Sequence, residues 1–87
     1  MNQEFSSQGL AEFVHVQIER YFAAHDGIMP PPGLYERVLK EVERPIIEQT
    51  LIYCEWNQKK ASEILGINRN TLRKKMQILT INIPEKI

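Results

Sequence analysis

The 87 residues contain one cysteine, Cys54, so no disulfide can staple a single chain, and a reducing compartment fits. Cys54 falls in an apolar helical pattern and reads as a small buried hydrophobe. Two histidines, His15 on the polar side of one helical pattern and His25 in a loop, lie far in sequence from that thiol. No zinc-ligand spacing results, and both read as surface histidines. No apolar run approaches the ~18–20 residues of a membrane span, and no signal peptide is read at the start. Glycine is scarce, and no glycine-rich loop that could cradle phosphate is present. There is no nucleophile elbow, no strand-like alternation of useful length and no internal repeat. The carboxylates Glu36, Glu41, Glu43 and Glu48 alternate with Arg37, Lys40 and Arg44 on one helical stretch, which suits pairing along a solvated helix better than acid/base chemistry. These absences exclude the common enzyme classes: no catalytic residue, cofactor or metal is expected.

What is present is unevenly distributed. The formal charge is zero, yet residues 1–56 hold four basic side chains against nine acidic ones, whereas residues 57–75 hold six basic ones against Glu63 alone. The local footprint, not the overall pI, is therefore informative. Length adds a second constraint. A chain of this size buries only about 60–65% of its unfolded surface, so either its core is unusually well packed or a partner completes it.

The opening MNQEFSSQG, residues 1–9, lacks periodicity and is expected to be irregular. Leu10, Phe13, Val14, Ile18, Tyr21 and Phe22 then recur at helical intervals and predict an amphipathic helix. It should stop before HDGIMPPPG, where a glycine and three consecutive prolines favour a stiff extended loop. A longer helix should start after Gly33, with Leu34 its first full residue. Its stripe runs through Leu34, Val38, Val42 and Ile46, thickened by Leu39, Ile47, Leu51 and Cys54. The segment IIEQTLIYC is apolar on most of its circumference and should be enclosed on nearly all sides. Pro45 can neither donate to the Glu41 carbonyl nor avoid crowding that turn. A single helix kinked there is expected, with two separate helices as the alternative. Asn57 can cap a short third helix that Gly66 ends in a left-handed conformation. Asn68 can cap a fourth, about Arg69 to Leu79, before Pro84. The expected class is all-α, with four helices.

The last two helices carry the marks of a helix-turn-helix. Ala61 and Ser62 supply small residues for a close crossing, Gly66 makes the turn, and Ile64, Leu65, Ile67, Leu72 and Met76 clamp the pair. The same spacing occurs in ordinary helical hairpins, so charge placement decides. With Leu72, Met76 and Leu79 turned inward, the last helix shows Arg69, Asn70, Arg73 and Lys74 outward, flanked by Thr71 and Lys75. An arginine fork matches the two acceptors of guanine, and threonine can touch a thymine methyl or a phosphate. Lys59 and Lys60 open the preceding helix where phosphates could be met. A solvated basic surface without a partner is the plainer reading, but ordinary solvated helices mix signs and here Glu63 alone interrupts six positive charges. A helical adaptor whose basic face meets an acidic protein is the rival, separated by salt titration of duplex binding.

The stretches LYERVLKEVERPIIEQTL and NQKKASEILGINRNTLRKKM resemble the Fis family of bacterial DNA-binding domains over roughly residues 10 to 80. That family spans a free-standing nucleoid protein and the carboxy-terminal domains of NtrC-type regulators. The stretch HDGIMPPPGLYERVLKEVE looks more like the NtrC-type regulators of alphaproteobacteria. The resemblance implies a homodimer in which the first two helices of each subunit, residues 10–55, interlock in a four-helix core. By position, that core would draw on Phe13, Ile18, Phe22, Val38, Val42, Ile46, Ile47 and Leu51. Residues 56–80 would form the DNA-binding unit and residues 81–87 a tail. Base-edge contacts fall on Asn68, Arg69, Thr71, Arg73 and Lys74, and phosphate contacts on Asn57, Lys59, Lys60 and Lys75. The expected partners are double-stranded DNA, a second copy and, in an NtrC-type setting, sigma-54 RNA polymerase reached through a receiver and an ATPase on other domains. The implied location is cytoplasmic, on the nucleoid. The chain departs from the family at Glu55 and Trp56, where Arg-Gly is usual. Trp56 is expected to shield the junction between core and reading head.

Overall fold

The computed structural model describes residues 7–85 and is all-α, with four helices and no strand among those residues. The chain divides into two compact units, Met1–Pro32 and Gly33–Ile87.

The first unit holds α1, Ser7–His25. It starts earlier and ends later than its apolar spacing indicates: Ser7, Gln8 and Gly9 are helical, and His25 is its last residue rather than part of the loop. Residues 1–6 of the expected irregular segment lie outside the described residues. His25 is held by its own helix, its Nδ1 lying 2.8 Å from the Tyr21 carbonyl oxygen, and its half-buried ring tilts against Tyr21 at 4.5 Å between centroids. This local hydrogen bond ties the one added residue to the last turn of the helix. His15 sits on the exposed face, 3.6 Å from Glu19. The helix ends where Asp26 and Gly27 take positive φ, 48° and 83°, before the prolines.

The second unit holds α2 (Leu34–Tyr53), α3 (Gln58–Leu65) and α4 (Arg69–Ile78). α2 starts after Gly33, as expected, and runs unbroken through Pro45. Of its residues, Ile47 and Leu51 are buried, the latter completely. They pack with Ala61 of α3, Leu72 and Met76 of α4, and Leu79 and Ile81 beyond it; Cys54, Trp56, Leu65 and Ile67 cover the edges of this cluster. The second unit thus carries a core of its own. Fully burying a side chain such as Leu72 contributes about 1.5–3 kcal/mol.

Several residues fall elsewhere than the sequence suggests. Ile47 and Leu51, assigned to a dimer core, lie inside this intrachain core, because the helix-turn-helix packs on that face of α2. The rest of IIEQTLIYC is not enclosed: Ile46, Ile52 and Tyr53 are exposed. Ile64, expected to clamp the two short helices, is 60% exposed. Ile81, which the sequence puts in the tail, joins the core at 5% exposure.

Each short helix is fixed by its ends. The Asn57 side chain accepts from the Lys60 N–H at 3.1 Å, and that of Asn68 from the Asn70 N–H at 2.7 Å. Such caps contribute about 1 kcal/mol each. α2 ends with the Trp56 N–H donating to the Leu51 carbonyl and the Glu55 N–H to that of Ile52. This paired closure requires a left-handed residue after the helix, and here both Glu55 and Trp56 are left-handed, φ 53° and 67°. Trp56 is half-buried against the edge of the intrachain core.

Candidate nucleic-acid interface

The turn from α3 to α4 builds the site. Ala61 and Ser62, the small residues that predict the crossing, are buried, Ala61 within the core cluster shared with α2 and α4. Ser62 Oγ donates to the Lys59 carbonyl at 2.8 Å, which satisfies its buried hydroxyl. Gly66 takes φ 75°, and the Ile67 N–H closes on the Ser62 carbonyl at 3.1 Å. Ile67 turns inward onto the core and delivers Asn68 to the start of α4.

On α4 the helical period sets what faces out. Leu72 and Met76 are buried, and Arg69, Asn70, Thr71, Arg73 and Lys74 are all exposed. On α3, Lys59 and Lys60 are exposed within its first turn, next to the capping Asn57. Among the described residues, Lys59, Lys60, Arg69, Arg73 and Lys74 have no carboxylate partner, so five cations stand free on one helical pair. Three of them, Lys59, Lys60 and Arg69, occupy first turns, and neither first turn contains an acidic residue. Cations at the positive end of a helix dipole are unfavourable by about 0.3–1 kcal/mol each. Folding stability alone would place Asp or Glu there. An anion seated across the two helix starts turns that local cost into attraction.

Two of the expected contact residues have internal duties. The Asn57 and Asn68 side-chain oxygens accept the capping hydrogen bonds, which leaves their amide groups as donors to an outside partner. Lys75 differs more. It follows Leu72 by three residues, lies beside the buried stripe and is half-buried, with its Nζ 2.5 Å from Glu43 Oε2 on α2. The sequence pairs that carboxylate with neighbours along its own helix, but Glu43 precedes Ile47 by four residues and so shares the face of α2 that α4 meets. Sequence spacing within α2 cannot reveal this pairing, because the partner comes from another helix.

Beside the ion pair, Leu39, Val42 and Ile46 of α2 line a shallow groove with Glu36, Lys40, Glu43 and Lys75 at its rim. Leu39 and Ile46 are about half exposed, at 49% and 48%. On α1, Phe13 and Phe22 are also exposed, at 62% and 49%, while Ile18, like Val38 and Val42 of α2, is half-buried. Among the described residues no three His, Cys, Asp or Glu side chains gather as they would around a metal ion, and no helix is long and apolar enough to cross a membrane.

Comparison with known proteins shows what the chain is similar to. The sequence profile of the family described as "Bacterial regulatory protein, Fis family" matches residues 38–78, from the second turn of α2 to the end of α4. The DNA-binding transcriptional regulator NtrC of Azospirillum brasilense is 49% identical over 93% of this chain, which spans only 17% of that relative's length. A putative Fis-like DNA-binding protein of Neisseria meningitidis is 42% identical over 77% of this chain and 84% of its own. The DNA-binding protein Fis of Actinobacillus succinogenes is 40% identical over 85% of this chain and 74% of its own.

Proposed function

The chain belongs to the Fis family of bacterial regulatory proteins, and from that premise we propose that it binds double-stranded DNA as a symmetric dimer, each α4 lying in a major-groove half-site. The observation that carries this reading is the set of five unpartnered cations on α3 and α4, with three of them at helix starts. Arg69, Thr71, Arg73 and Lys74, with the Asn68 amide, read base edges, and Lys59, Lys60 and the Asn57 amide hold phosphates. The dimer forms through the apolar residues left exposed or half-exposed on α1 and α2: Phe13, Ile18 and Phe22 on one helix, Val38, Leu39, Val42 and Ile46 on the other. A two-fold axis then matches the protein to an imperfect palindrome.

The protein acts, in this reading, as the DNA-binding part of an NtrC-type regulator in a two-component system. It places at enhancer-like sites an ATPase that works on sigma-54 RNA polymerase in the cytoplasm. The identity to the Azospirillum protein supports that setting. A second reading, a free-standing nucleoid protein that bends DNA, is supported by the Fis and Fis-like relatives, most of whose length this chain spans. A reading frame that continues through receiver and ATPase sequences upstream of Met1 selects the first; a stop codon there selects the second.

Base reading is tested by substitution. Arg73→Ala should cost about 1–3 kcal/mol on a selected binding site and far less on random duplex, measured by fluorescence anisotropy. Equal losses on the two duplexes would mean that Arg73 touches only phosphate.

A further inference from the structure

Lys75 is the one basic residue of the 57–75 stretch that the structure pairs with a carboxylate, and the pair joins α4 to α2 rather than neighbours on one helix. Both members are shielded to a similar degree, with side chains 37% and 31% exposed. The family resemblance makes Lys75 a phosphate contact; in the structure it is paired with Glu43. A lysine presents a single compact charge, and while that charge is met by the Glu43 carboxylate it adds little net charge with which to displace a counterion from a duplex.

Resting on the DNA-binding reading above, we infer that Glu43 is a positioning residue that withholds Lys75 from DNA and ties the C-terminal turn of α4 to α2. Glu43 therefore lowers affinity for every duplex alike and holds the reading helix at one angle to α2. Sequence discrimination rises as a result, since phosphate contacts strengthen all sites equally whereas base contacts depend on helix placement.

The test is a double-mutant cycle read by the salt dependence of duplex binding, which reports the number of phosphates neutralised. Glu43→Gln frees Lys75. The log–log salt slope should steepen by about 0.9 per subunit, so the affinity gain at 50 mM salt exceeds that at 200 mM by about three- to four-fold per subunit, or about twelve-fold for the dimer. Lys75→Gln and the double variant should keep the wild-type slope. Glu41→Gln, which removes the same charge from an exposed residue of α2 with no lysine to free, should not steepen it. The specificity ratio between selected and random duplex should fall in Glu43→Gln and return in Glu43→Asp. A slope that flattens by about 0.9 in Lys75→Gln and does not change in Glu43→Gln would show Lys75 already on a phosphate and overturn the inference. Wild-type protein that binds no duplex at low salt would instead overturn the DNA-binding reading, and this inference with it.

Discussion

Glu55, Trp56, Gly66 and Thr80 all hold positive φ at helix ends, and only one of them is glycine. A left-handed residue with a side chain costs roughly 1–2 kcal/mol, so the three others carry strain that Gly66 avoids. Gly66 has open space where a Cβ would project, so Gly66→Ala meets no clash and its penalty is that of the backbone alone. Thermal unfolding should show it destabilised by about 1–2 kcal/mol. Glu55 is exposed and makes no side-chain contact on which the fold depends. Glu55→Gly should therefore stabilise by up to about 1 kcal/mol. If Gly66→Ala were neutral, or Glu55→Gly destabilising, the left-handed closures would not be the source of strain. Trp56 is different, because its ring covers the edge of the core. What it loses in backbone strain it recovers in packing, a trade that explains how the chain dispenses with the glycine usual at this position.

At the scale of elements, α2 serves two surfaces. Ile47 and Leu51 meet α3 and α4, whereas Leu39, Val42 and Ile46 line the open groove a third of a turn away. Ile47→Asp should unfold the second unit, because it buries an unpaired charge in the intrachain core. Ile46→Asp should leave helicity intact by circular dichroism and abolish self-association by analytical ultracentrifugation. An Ile46→Asp chain that remains dimeric would remove this face of α2 from the interface. The two adjacent isoleucines also mark the limit of what the sequence shows. Helical spacing correctly gives four helices, the caps at Asn57 and Asn68, the turn at Gly66 and the outward cations. All of these are set by residues within one turn of each other. The division of a broad apolar stripe between an inner and an outer partner is not local, so spacing puts Ile46 and Ile47 on one stripe and does not show that only Ile47 meets α3 and α4. The Glu43–Lys75 pair is hidden for the same reason.

Across the whole molecule, charge and function are segregated along the chain. The acidic first two-thirds holds the exposed apolar residues of α1 and α2; the basic stretch that follows holds the helix-turn-helix. A net charge of zero keeps general attraction to polyanions weak, so affinity must come from the local cluster on α3 and α4. The acidic half would also disfavour DNA anywhere except at that cluster, which orients the encounter. The central question is which residues a duplex touches. The direct measurement is chemical-shift mapping of the labelled protein on addition of double-stranded oligonucleotide. The account predicts changes concentrated at Asn57–Lys60 and Asn68–Lys74, with the groove residues Leu39, Val42 and Ile46 unmoved. Changes that centre on α1 or on that groove, or none on α4, would contradict it.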